Sequence, residues 1–400
     1  MQTDKLKAFI QEHREDDPVE LLLGASRYPE VDVPYAAELI AARKQIKDKL
    51  PHWYADDSLL FPSKLAAEQC SSEQTARYKQ RLAESDWHLA DLTGGLGVDS
   101  YFFSQKIHQV TYIERFPSYC EAARSNFSAL GIGNIRVIQG NSVDLLPELE
   151  NVDCFYLDPA RRGEGNRRVF ALSDCEPDLT QLLSRLLRKA PRVIAKLSPM
   201  LDIQHTLKQL PGTEEVHVLS VKNECKELLF LIARDPAEKK EPAIYCVNFP
   251  AEGEEQSYRF TLAEERESHA GLADGAAAFL YEPNASILKA GAYQSIAIRY
   301  GLRKLHPNSH LYTSERRIAF PGRTFVVEES IPCNGKAMKT IAKKIPQANL
   351  TVRNFPLSVR ELRQRTKIAE GGEVYLFATT LASGAKVLIR CVKPDAVSTE

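Results

Sequence analysis

Between residues 87 and 197, short apolar runs alternate with longer amphipathic stretches, and few folds tolerate that alternation. The runs cover residues 88–92, 110–114, 135–139, 154–158 and 193–197, with helix-length segments such as 117–130 and 177–189 between them. Strands apolar on both faces and separated by helices predict a parallel, doubly wound, Rossmann-like α/β sheet. The series ends differently. Residues 215–221 and 227–233 read as strands joined by a polar link too short for a crossover helix, so they must pair antiparallel as a terminal hairpin.

Around this centre the chain divides further. Residues 1–75 show apolar positions at helix spacing, cut into short pieces by Pro29, Pro34, Pro51 and Pro62. The sheet domain is expected over 76–235, and a charged, proline-containing linker follows. Residues 243–323 read as a small α+β, ferredoxin-like connecting region, with strands at 244–249 and 258–262 and a helix over 286–300. Residues 324–396 predict strand, helix, strand, helix, strand, strand, a compact α+β module.

Polar residues stand where a parallel sheet presents its C-terminal edge, the edge at which open α/β sheets bind ligands. The first run opens into Asp91-Leu92-Thr93-Gly94-Gly95-Leu96-Gly97-Val98-Asp99. Glycines there let backbone N–H groups approach a ligand at a helix N-terminus, although a tight strand-to-helix connection would look the same. The spacing is not GxGxxG, which weakens a nicotinamide-dinucleotide reading. Glu114, followed by Arg115, closes the second run, where a carboxylate can take both hydroxyls of a ribose. Asn141, followed by Ser142, closes the third and can meet an adenine edge as donor and acceptor. Asp158-Pro159-Ala160-Arg161-Arg162 closes the fourth. Arg161, Arg162, Arg167 and Arg168 suit a phosphate equally as well as surface ion pairs, and the loop 163–166 could close over a substrate. Lys196, ending the fifth run, reads as a strand-edge or phosphate contact. Residues 68–76 read either as a capped helix start or as a flap over the site.

The nine-residue turn with Glu114, Asn141 and the Asp158–Arg161 block resembles the class I S-adenosyl-L-methionine (SAM) dependent methyltransferases, whose sheets also end in an antiparallel hairpin. Asn141 stands where that superfamily commonly has Asp. The chain as a whole is similar to a family of bacterial methyltransferase-like proteins with a C-terminal THUMP-like domain. That likeness is carried by Tyr281-Glu282-Pro283-Asn284-Ala285, Ile287-Leu288-Lys289-Ala290-Gly291 and Val352-Arg353-Asn354-Phe355-Pro356-Leu357. The resemblance implies SAM as cofactor, bound by Asp91, Thr93, Gly94, Gly95, Gly97, Asp99, Glu114, Arg115, Asn141 and Ser142. Asp158, Pro159 and Arg161 are then the catalytic candidates. In related base-modifying enzymes an Asp/Asn-Pro segment accepts hydrogen bonds from an exocyclic amine and orients its lone pair. In the uracil-C5 RNA methyltransferases a nucleophilic cysteine falls just after the fifth strand; Leu197-Ser198 carries no thiol, so direct transfer to nitrogen is expected.

Charge suggests the acceptor. The net charge is −1, yet residues 289–367 hold 16 Lys and Arg against 4 Asp and Glu, leaving −13 for the rest. A basic stretch of that size fits RNA phosphates, tRNA or rRNA, with a solvated surface as the alternative. Arg360, Arg363 and Lys367 would share a helix face, and Tyr293, Tyr300, Tyr312 and Phe355 could stack on bases, although most should be core. The competing functions are methylation of a small molecule or protein, and RNA binding by a degenerate SAM domain. Eight scattered cysteines without ligand spacing predict reduced thiols and no metal site. No apolar run approaches a membrane span and the first residues lack a signal-peptide pattern, so a cytoplasmic protein is expected.

Overall fold

The computed structural model describes residues 4–161, 172–236 and 241–394. These form two compact units: 4–214 with 229–236, and 215–228 with 241–394.

The first unit begins with six helices. Val33–Ile46 starts on a proline in its first turn and on Asp32, whose side chain accepts the Tyr35 N–H. Proline at that position removes an N–H that has no partner anyway, so Pro18, Pro34 and Pro51 open helices as well as ending the segments before them. Ser63 and Ser72 cap Lys64–Gln69 and Glu73–Arg81. Ile46, Leu50, Trp53, Phe61 and Ala67 pack in one apolar cluster with Leu96, Val98 and Phe102 of the glycine-rich turn and its helix. The helices are thus built against the candidate site.

Strands β1 (His88–Asp91), β2 (Gln109–Glu114), β3 (Ile135–Gln139), β4 (Cys154–Leu157), β7 (Arg192–Leu197) and β9 (Glu224–Ala233) lie in the order β9-β7-β4-β1-β2-β3. Pairs β1–β2, β1–β4, β2–β3 and β4–β7 are parallel, so all five runs read from the sequence are sheet strands. β1, β4 and β7 are almost wholly buried, because helices cover both faces. Two short strands not read from the sequence, β5 (Ala160–Arg161) and β6 (Cys175–Glu176), pair antiparallel just beyond β4.

In the second unit β10 (Ala243–Phe249) pairs parallel to β8 (Thr213–Val221). β11 (Gln256–Thr261) follows antiparallel. The helix expected over 286–300 is two helices, Ala285–Ala290 and Ser295–Arg299, divided at Gly291, whose φ of +84° ends the first. A second sheet runs in the order β13-β14-β12-β15-β18-β17-β16. Its strands are β12 (Phe279–Pro283), β13 (Arg303–Lys304), β14 (Tyr312–Ser314), β15 (Gly322–Pro332), β16 (Asn349–Arg353), β17 (Val374–Thr380) and β18 (Lys386–Val392). The elements expected from residue 324 onward all form, whereas β12 to β14 are short, interrupted by charge or proline, and were not legible. β15 carries an irregular step between Val327 and Glu329; its first half pairs with β12 and its second with β18.

The basic helix face is corrected by the structure. Lys367 leaves the helix in a left-handed conformation, and Arg363 turns inward to donate to the Ile368 and Ala348 carbonyls, each at 3.2 Å. The aromatics are largely structural, as expected. Tyr312 is fully buried, and Tyr293 and Tyr312 each donate to a backbone carbonyl.

Candidate active site

The C-terminal ends of β1, β2, β3 and β4 open on one cavity of about 790 Å³, within the range of small-molecule sites. The turn after β1 is cradled tightly. A Cβ on Gly94 would lie 2.3 Å from the ring of buried Tyr112, and Gly97, at φ +80°, starts the helix Val98–Ser104. The Gly94 N–H donates to the Ile113 carbonyl, and Tyr112 Oη donates to the Gly95 carbonyl at 2.6 Å. Glu114 holds the same turn from the other side. Its Oε2 accepts the Gly95 N–H at 2.9 Å, and Oε1 accepts those of Arg115 and Phe116. A carboxylate fixed at a strand end, bonded to the N–H of a glycine that has no side chain, fits the ribose of a nucleoside cofactor.

Beneath the turn lies a buried ionic network. Lys79 is fully buried and meets Asp99 Oδ1 at 2.9 Å while donating to Ser71 Oγ at 2.7 Å. Asp99 also accepts from Tyr156 Oη and from Ser71 Oγ. Burial is the strongest single influence on Asp99 and opposes its charge. The charges of Lys79 and Lys196, with the hydrogen bonds from Lys79 and Tyr156, nonetheless hold its carboxyl below the usual range. At the end of β4, the Asp158 N–H donates to Thr93 Oγ1 at 2.7 Å, and Lys196 Nζ from β7 forms a short ion pair with Asp158 Oδ2.

Along 98% of its length, the chain matches 98% of a crystal structure of a Porphyromonas gingivalis W83 protein named as a methyltransferase. Sequence identity is 40% and the TM-score 0.87. Residues 279–321 match a family described as a ferredoxin-like domain, and residues 322–393 one described as THUMP domain-like. This chain belongs to the SAM-dependent methyltransferases with a C-terminal THUMP-like domain. An uncharacterized SAM-dependent methyltransferase of Mycobacterium tuberculosis is 23% identical over 80% of the chain and 84% of its own length. An uncharacterized RNA methyltransferase of Lactobacillus johnsonii is 31% identical over 97 residues, 23% of this chain and 21% of that protein.

The fold of this methyltransferase brings all ten expected cofactor residues together. Asp91, Thr93, Gly94, Gly95, Gly97, Asp99, Glu114, Arg115, Asn141 and Ser142 all line the cavity, as does Asp158. Several are already engaged with the protein. Asp91 accepts from Ser100 Oγ and the Thr93 N–H, Asn141 Oδ1 caps the Ser142–Leu145 helix, and Arg115 pairs with Glu176. Pro159 is flanked by lining residues without lining the cavity itself, and the Arg161 backbone belongs to β5. Arg162, Arg167, Arg168 and the 163–166 loop lie outside the described residues. The segment 68–76 satisfies both of its readings, since Ser72 caps a helix while Gln69, Cys70 and Ser71 line the cavity. Lys79 escaped sequence reading because a lysine in a polar helix normally faces water. A thiol does reach the cavity, from Cys70 and not from the loop after β7; burial pushes it up to about 11, which leaves it protonated and a poor nucleophile.

Asp91 gives a pH signature. Burial, the largest influence, pushes it up to about 7 despite its hydrogen bonds from Ser100 and Thr93. The folded protein therefore keeps a proton that the unfolded chain has lost. The associated stability is fully present below the ordinary aspartate value of about 4, and is lost as pH rises through about 7. Asp91→Asn is expected to flatten the pH dependence of urea-unfolding free energy across that window. An unchanged slope would mean that Asp91 is ionised throughout.

Proposed function

We propose that this methyltransferase modifies a base nitrogen of RNA, either tRNA or rRNA, docked by the basic region 289–367. The observation that carries the reading is Asp158. It shares the cavity with Glu114 and is tied to Thr93 and Lys196 at the end of β4. SAM bound against Glu114 and the glycine turn supplies a methyl group that is electrophilic without help from the protein. The chain's own task is then alignment. Lys196 occupies Asp158 Oδ2, which leaves Oδ1 to accept a hydrogen bond from an exocyclic amine. That bond orients the nitrogen lone pair. As the nitrogen gains its methyl group it sheds a proton, and Asp158 is placed to take it.

The RNA part of the reading is supported by the local charge of the C-terminal region, its THUMP-like match, and the name of the Lactobacillus relative. It is tested by transfer of labelled methyl from SAM to tRNA, rRNA and protein isolated from a strain lacking the gene. Label is expected in one RNA pool. Label in protein alone, or in no pool despite measurable SAM binding, would overturn the RNA reading and favour a protein or small-molecule acceptor.

A further inference from the structure

Two of the C-terminal segments singled out in the sequence, 281–285 and 352–357, meet in the second unit. Glu282 on β12 has only 2% of its side chain exposed, although it is a carboxylate. Arg323, its cross-strand partner on β15, reaches it through Nε at 2.8 Å and through Nη2. Arg353, the last residue of β16, reaches Oε1 at 2.7 Å through Nη2. A buried carboxylate demands a counter-charge, and one arginine would satisfy it. Two are present.

The pair is therefore left with one net positive charge, and it remains accessible. Arg323 and Arg353 are 40% and 38% exposed. No second carboxylate contacts either guanidinium among the described residues. A guanidinium has five N–H donors. Arg323 donates from Nε and Nη2 to Glu282, while Arg353 donates from Nη1 to the Val352 carbonyl and meets Glu282 Oε1 as an ion pair outside hydrogen-bond geometry. The other N–H groups of both have no described protein acceptor.

The neighbouring chain holds Arg353 in place. Asn354 has a left-handed backbone, φ +49°, which reverses the chain immediately after β16. Its carbonyl accepts from Thr380 Oγ1 at 2.7 Å, and its side-chain amide meets His306 Nδ1 at 2.9 Å. Two exposed guanidinium forks, splinted from behind by one buried carboxylate and set in a segment with a charge of +12, are organised for an oxyanion.

The geometry points to a phosphate clamp in which Arg323 and Arg353, braced by Glu282, grip one backbone phosphodiester of the docked RNA. The inference rests on the RNA reading above and adds the residues that would hold the strand. An interaction of this kind positions the RNA without reading its sequence.

The test is binding of bulk tRNA and of rRNA to the full-length chain between about 50 and 200 mM salt. Wild type is compared with Arg353→Gln, Arg353→Lys and, as an exposed control in the first unit, Lys208→Gln. Arg353→Gln is expected to bind about tenfold more weakly, with the slope of log K against log salt reduced by about 1. Arg353→Lys should keep the slope and lose part of the affinity, because an ammonium keeps the charge without the fork. Lys208→Gln should change neither. If wild type binds and methylates RNA but Arg353→Gln matches it in affinity and slope, the clamp is wrong while the RNA reading stands. If wild type neither binds nor methylates RNA, both fail. Should Arg353→Gln melt early, Arg353→Lys decides alone, since wild-type affinity in that variant would overturn the clamp.

Discussion

Replacing Asp158 with alanine is expected to lower the rate of methyl transfer by roughly 10²–10³, or about 3–4 kcal/mol of barrier, with SAM affinity held within about threefold. The asymmetry follows from position. Glu114 and the glycine turn hold each other through the Gly95, Arg115 and Phe116 N–H groups, and none of those contacts involves Asp158. Asp158 lines the same cavity and is tied to Lys196. Its loss removes the acceptor for the amine and the carboxylate that meets the Lys196 ammonium. Asp158→Asn separates two contributions, because the amide keeps an acceptor oxygen but cannot take a proton. A rate within about tenfold of wild type in that variant would assign the effect to alignment; a rate as low as alanine's would assign it to proton acceptance. Single-turnover transfer together with SAM binding measures both. Asp158→Ala turning over within tenfold of wild type would remove Asp158 from the reaction.

Lys79→Met should produce the largest loss of stability, about 3–5 kcal/mol in urea unfolding. Methionine fills nearly the same space, so packing changes little. Asp99 becomes a buried carboxylate that has lost its contacting cation, although Tyr156 and Ser71 still donate to it. The double variant Lys79→Met with Asp99→Asn removes both charges and should recover much of the loss, since the penalty belongs to the orphaned charge. SAM affinity should fall in the single variant, because Asp99 and Ser71 both line the cavity. A cost below about 1 kcal/mol would mean that water or Lys196 compensates Asp99 without Lys79.

The sheet was legible because burial on both faces forces an unbroken apolar run, and helix-length spacers force parallel pairing. β1, β2, β3, β4 and β7 follow from those two facts. The candidate site was legible for the same reason: a parallel sheet collects its strand ends on one edge, so Asp91, Glu114, Asn141 and Asp158 had to converge. What their side chains do there was not legible. Asp91 and Asp99 are polar residues flanking a glycine turn, yet Asp91 spends its oxygens on Ser100 and Thr93, and Asp99 on Lys79, Tyr156 and Ser71. Three polar helix positions expected on one face were likewise redistributed when Arg363 turned toward backbone carbonyls.

The sequence by itself determined the architecture of the cofactor domain, the edge on which its site forms and the concentration of positive charge in the C-terminal region. These depend on periodicity, spacing and composition, which are properties of neighbours along the chain. Tertiary structure alone decided that Lys79 neutralises Asp99, that Lys196 pairs with Asp158, and that Glu282 gathers Arg323 and Arg353 from 41 and 71 residues away. A buried charge must find its partner wherever the folded chain places one, and nothing local in the sequence records where that will be.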